Sequence, residues 1–162
     1  MKASVRPIAL MAALAALSVV HSSAAEPQMR VRAKPFCHRF GEELAVQSII
    51  DVDYRYPKGA AETMGRSSER VRQLWSITCS LGTRQCEAVL VNVSRIERGE
   101  ELELEDVAKV KGMSVAAQTG AVVTLVWGPY RTLVLDLKAR TIEYRESGPA
   151  AEGRGVGACG PG

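Results

Sequence analysis

Four cysteines, Cys37, Cys79, Cys86 and Cys159, all lie beyond an N-terminal stretch laid out like an export signal. Lys2 and Arg6 form a positive start, and Ile8 to Val20 is an unbroken run of Ala, Leu, Val, Ile, Met and Ser. Ser23-Ala24-Ala25 then offers the small residues that a signal peptidase reads. The run is too short to cross a bilayer as a permanent helix. Residues 1–25 are therefore expected to be a cleaved signal peptide. The rest is expected to fold in an oxidising compartment, periplasmic or secreted, where an even number of cysteines forms disulfides. Two covalent cross-links must then close within 137 of the 162 residues, a length suited to one domain.

Four cysteines allow three connectivities. Six residues including Gly82 separate Cys79 from Cys86, which suits a bridged hairpin. Cys37 and Cys159 then remain, one near each end of the body. A local bridge plus an end-to-end staple is the expectation, because closing a short loop needs little search. Cys79 and Cys86 lack the Cys-x-x-Cys spacing that a redox or zinc site would favour.

Residues 26–36 read as an extended N-terminal arm, residues 37–159 as a disulfide-stapled β-rich domain, and residues 160–162 as a flexible tail. Ile50, Val52, Tyr54 and Tyr56 alternate with Asp51, Asp53 and Arg55, which is a half-buried strand. Gly41 to Ser48 suits either a short helix or the start of that strand. Pro57-Lys58-Gly59 stops the strand, and Ala60 to Glu69 reads as a loop with at most one helical turn. Val71, Trp75, Ile77 and Cys79 share a parity broken only by Gln73. Val89, Val91 and Val93 follow on the next strand. Arg95 to Gly112 fits strand and helix about equally, with a slight preference for a short strand followed by a turn or helical segment. Met113–Gln118, Ala121–Gly128, Arg131–Leu137 and Thr141–Glu146 are four runs joined by connections short enough only for antiparallel hairpins. The almost wholly apolar Val122–Trp127 is expected at the centre of the sheet, covered on both sides. Ser147–Gly162 is glycine-rich and reads as a tail rather than an element. The fold class expected is mainly β: a single antiparallel, sheet-rich domain, a partly open barrel or a sandwich, with two disulfides.

Chemistry is sparse. Without the leader, 19 basic residues face 18 acidic ones, which leaves no electrostatic footprint for nucleic acid. No second apolar stretch approaches membrane-spanning length. Of two histidines, His21 leaves with the leader and His38 adjoins a cysteine expected to be oxidised. Asp51 and Asp53 share a strand face beside Arg55, more readily a solvated face than an acid/base or metal pair. Asn92-Val93-Ser94 is a glycosylation sequon only in a eukaryotic secretory pathway. Gly153-Arg154-Gly155-Val156-Gly157 lacks the strand-to-helix context of a phosphate loop. The Ser-Gly-x-x-Tyr motif of one lysozyme-inhibitor family is not met, since Ser147-Gly148-Pro149-Ala150-Ala151 lacks the tyrosine. The candidate partner contacts are Tyr130, at a hairpin tip, and Glu101, Glu103 and Glu105, in the densest acidic stretch.

These features point to a small exported binding domain of the cell envelope or extracellular space, non-catalytic and without cofactor or metal. Its expected partner is another envelope or extracellular protein. The alternatives are a structural envelope subunit and, behind it, a hydrolase using Asp51, Asp53 or the acids of 97–106.

Overall fold

The computed structural model describes residues 30–32, 34–97 and 101–160, with side chains described for 34–93 and 108–160. It is built almost entirely of antiparallel strands. In chain order they are β1 (Arg30–Arg32), β2 (Phe36–Phe40), β3 (Glu43–Arg55), β4 (Ser68–Ser80), β5 (Gln85–Glu97) and β6 (Glu101–Val110). Then follow β7 (Ser114–Thr119), β8 (Val122–Trp127), β9 (Arg131–Asp136), β10 (Thr141–Ser147) and β11 (Glu152–Ala158). One short helix, α1 (Lys58–Met64), sits between β3 and β4.

Eight strands close on themselves in the order β5-β4-β3-β11-β10-β9-β8-β7. The closing seam is narrow. Gln85 pairs with Ser114, the Cys86 N–H donates to the Met113 carbonyl at 3.2 Å, and the Val115 N–H donates to the Arg84 carbonyl at 2.9 Å. A small eight-stranded barrel has an interior just wide enough for its own side chains, and this one is filled. Leu44, Val46, Ile50 and Val52 of β3 meet Trp75 and Ile77 of β4, Val123 and Leu125 of β8, Leu133 and Leu135 of β9, and Ile142 of β10. A second, smaller apolar cluster of Leu74, Val91 and Val93 lies on the opposite face of β4 and β5.

The alternation of Ile50 to Tyr54 belongs to a 13-residue strand that already begins at Glu43, so Gly41–Ser48 is not helical. Four further expectations are corrected. Ser147–Gly162 is not only a tail: Glu152–Ala158 is a strand inserted between β3 and β10. Its Gly153 and Gly155 are buried and face inward, where neighbouring side chains and backbone leave no room for a Cβ. Residues 101–110 are strand throughout and contain no helical segment, and a register shift near Asn92 to Arg95 blurs their periodicity. Val122–Trp127 is barrel wall, with Val123, Leu125 and Trp127 buried and the alternate residues half-buried, so it is not covered on both sides. Ala60–Glu69 carries helix α1 and the first residues of β4 in place of a long loop. The segment read as an N-terminal arm contributes β1, which pairs with β6.

Both disulfides pair as expected, Cys79 with Cys86 and Cys37 with Cys159. Cys79 and Cys86 are register partners across the β4–β5 hairpin. The other bridge closes a junction. β11 and β2 both pair with the same edge of β3, β11 along Ile50–Arg55 and β2 along Glu43–Gln47. They lie end to end, and Cys37–Cys159 joins them where one stops and the other starts. Ser48, fully buried on the inward face of β3, covers that break by donating its hydroxyl to the Ala158 carbonyl at 2.9 Å. Two disulfides suit an oxidising compartment. Among the described residues, no helix is long and apolar enough to cross a membrane.

Candidate functional site: the aromatic mouth of the barrel

Among the described residues, β6 pairs with β5 and β1 and with no other strand of the ring, so from Arg95 on, where β5 no longer pairs with β4, the β5–β6 ribbon extends past the ring. At Gly112, whose φ of +72° is a left-handed conformation that favours glycine, the chain turns to enter the wall as β7. Between this ribbon and the ends of β3, β8, β9 and β10 lies a recess of about 320 Å³. Tyr54, Trp75, Trp127 and Tyr144 give it aromatic walls. Leu90, Ala108 and Val110 line it from the ribbon, and Lys109, Lys111, Arg131 and Glu146 bring charge to it.

Alternation along each strand explains why these residues converge. Tyr54 follows Ile50 and Val52 on the inward face of β3, Trp75 follows Gln73 on β4, and Tyr144 follows Ile142 on β10. Trp75 and Trp127 meet edge to face with centroids 5.2 Å apart, and Tyr144 lies about 6 Å from each, at 6.1 and 5.9 Å. Such rings hold their positions through packing and through quadrupole geometry.

A chain of hydrogen bonds runs through these rings in one direction. Trp75 Nε1 donates to Gln73 Oε1 at 3.2 Å, and Gln73 Nε2 donates to Tyr54 Oη at 3.2 Å. Tyr54 Oη donates to Tyr144 Oη at 3.2 Å, and Tyr144 Oη donates to Glu146 Oε2 at 2.6 Å. The other oxygen of Glu146 accepts from Arg131 Nε at 3.0 Å. Every donor points toward the carboxylate. A buried amide, a buried indole N–H and two phenols are satisfied at once, which is how a polar group enters a barrel core without a desolvation penalty. Burial, followed by the bond to Glu146, pushes the Tyr144 phenol well above its ordinary value. Burial raises Tyr54 as well, partly offset by its bonds to Tyr144 and Gln73. Burial opposes the charge on Arg131, but the Glu146 carboxylate outweighs it and holds the guanidinium firmly protonated. Asn92 is the register partner of Gln73, and its Oδ1 is buried without a hydrogen-bond partner.

The residues singled out in the sequence fall differently. Tyr130 sits in the β8–β9 turn at this same end, half exposed, beside Gly148. Glu101, Glu103 and Glu105 lie on β6, along the projecting ribbon, and their side chains are outside the described residues. In register, Glu103 is flanked by Arg30 and Arg95, and Glu101 by Arg32 and Glu97. Asp51 and Asp53 face outward, each gripped by two nitrogens of an arginine on β4, Arg72 and Arg70 respectively. These bonds hold both carboxyls below the ordinary carboxylate range. Two carboxylates so engaged are part of the wall. Sequence reasoning missed Gln73, Arg131, Tyr144 and Glu146. The one local signal was Gln73, a polar residue in an otherwise apolar parity.

A wider recess of about 660 Å³ at the Cys79–Cys86 hairpin is lined by Glu43, Thr78, Ser80 and Glu87 among others, and no aromatic side chain lines it. Among the described residues, no three His, Cys, Asp or Glu side chains gather as a metal site requires. The fold and its mouth thus define a disulfide-stapled antiparallel barrel with a preorganised aromatic recess at one end. Compared with known proteins, the chain matches no family model, no curated protein and no solved structure.

Proposed function

We propose that the protein is an exported, non-catalytic binding domain of the cell envelope or extracellular space, acting after removal of residues 1–25 and receiving part of a partner protein in the aromatic mouth. The observation that carries this reading is the rigidity of the recess. Its phenols, amide and indole are tied into a single relay that ends on Glu146, and Arg131 is clamped by the same carboxylate. Groups committed in this way form a preorganised wall, and preorganisation lowers what binding must overcome. Tyr130 stands at the same end as an exposed anchor of the kind that interfaces favour.

The test is retention. Mature protein recovered from its native compartment is immobilised and exposed to envelope or extracellular extract. Saturable retention of one partner, weakened in Arg131→Gln, is the expected result. No saturable partner at any practical loading overturns the reading.

A further inference from the structure

We infer that the mouth recognises an apolar ring carrying a carboxylate, the chemistry of a chain-terminal aromatic residue. This inference rests on the binding reading above and specifies what the recess accepts. Three observations lead to it.

The first is size. At about 320 Å³ the recess lies at the small end of ligand clefts, which begin near ~300 Å³. It has room for a ring-sized group.

The second is the state of the wall's polar groups. Trp75 Nε1, Tyr54 Oη and Tyr144 Oη spend their only proton within the relay, and Gln73 Nε2 spends one of its two. A sugar ring carries hydroxyls on every side and needs polar partners along the surface it packs on, whereas the aromatic wall has most of its polar groups engaged with one another. Trp75, Trp127, Leu90, Ala108 and Val110 add ring and aliphatic surface to the recess. That surface suits an apolar ring.

The third is charge. Among the described residues, Lys109, Lys111 and Arg131 line the recess against one acid, Glu146, and both oxygens of Glu146 are engaged. A guanidinium carries five N–H donors in a planar fork. Glu146 takes the Nε of Arg131 and thereby fixes its plane, while the side chain remains about half exposed, at 49%. Among the described residues the Nη edge has no hydrogen-bond partner, which leaves it to grip a second carboxylate with both nitrogens, the geometry for which arginine is best suited.

The chain has two tryptophans, and both line this recess, so intrinsic fluorescence reports on the site directly. The probes are N-acetyl-L-phenylalanine, its uncharged amide N-acetyl-L-phenylalaninamide, and glucuronate, titrated into the mature, disulfide-bonded protein up to roughly 10 mM. The acid is expected to change the emission saturably. The amide should bind at least about tenfold more weakly, because the charge-assisted bonds to Arg131 are absent. The comparison of acid and amide needs no variant, so it stands even if Arg131→Gln does not fold. Where that variant keeps the wild-type circular dichroism, acid and amide should bind it alike. Equal binding of acid and amide to the wild type overturns the carboxylate, tighter binding of glucuronate overturns the apolar ring, and no saturable change overturns both. If a partner is retained from extract while the acid does not bind, the ligand class falls and the binding reading stands.

Discussion

Gly155 lies so close beneath Asp51 that a methyl group placed on its Cα would come within 2.6 Å of the Asp51 carbonyl oxygen and 2.7 Å of the Ile50 side chain. Backbone cannot yield as the end of a flexible side chain can. Gly155→Ala is therefore expected to destabilise the barrel by about 1–3 kcal/mol, the range for overpacking a tight interior. Gly59→Ala is the control: in α1 nothing lies within 4 Å of the added carbon, and alanine favours a helix. Urea denaturation decides it. Equal midpoints for Gly155→Ala and wild type would show that β11 does not pack as described.

Gln73→Leu removes the middle of the relay, depriving Trp75 Nε1 of its acceptor and Tyr54 Oη of a donor. Leaving a buried donor unsatisfied costs about 1–3 kcal/mol, so the variant should unfold at lower denaturant even though leucine suits a core. Because Trp75 is one of two tryptophans, its emission should also shift. A Gln73→Leu protein as stable as wild type would mean that the relay contributes nothing net.

The two disulfides should differ in weight. Cys79–Cys86 spans a sequence separation of 7 and Cys37–Cys159 one of 122. In the chain-entropy picture, removing the first costs about 2.5 kcal/mol and removing the second about 5 kcal/mol. Thermal melts of the two double-serine variants should rank in that order. The reverse ranking would show that the long bridge joins ends already held together by β3.

Acid should loosen the outer wall of β3 and β4. The Arg72 hydrogen bonds lower Asp51 and the Arg70 hydrogen bonds lower Asp53. A depressed carboxyl contributes stability above its unfolded value and loses it as pH falls through its folded value. The Asp51–Arg72 pair is only partly buried and is worth about 0.2–1 kcal/mol at most. Arg72→Gln should therefore be slightly less stable at neutral pH and should lose less on acidification. A variant with the wild-type acid slope would remove this pair from the account.

Strands whose inward residues carry apolar side chains were legible without coordinates. Leu133, Leu135 and Leu137 with Ile142 and Tyr144 state the β9–β10 pairing by parity alone, and the spacing of Cys79 and Cys86 states a hairpin. β11 was hidden because its inward residues, Gly153, Gly155 and Gly157, have no side chains to register as apolar. Their spacing of two was the signal, and glycine normally argues for a turn. β6 was ambiguous because Val107 and Val110 keep a helical interval while a bulge at Asn92 to Arg95 shifts the strand parity. The mouth was the least legible part. It takes residues from β3, β4, β8, β9 and β10, which only closure of the ring brings together. No local spacing relates Arg131 to Tyr54. Gln73 alone, polar among Val71, Trp75 and Ile77, marked a place where the interior had to accommodate hydrogen bonding.

The shared edge of β3 also sets an order of events. β3 has β4 beside it as soon as residue 80 has emerged, and β2 already covers Glu43–Gln47 of its other side, but Ile50–Arg55 of that side stays bare until residues 152–157 arrive. β2 near one end of the chain and β11 near the other must find the same neighbour, so the wall cannot be completed on a partly made polypeptide. Such long-range pairing slows folding, and it leaves the chain open until its last strand has been made.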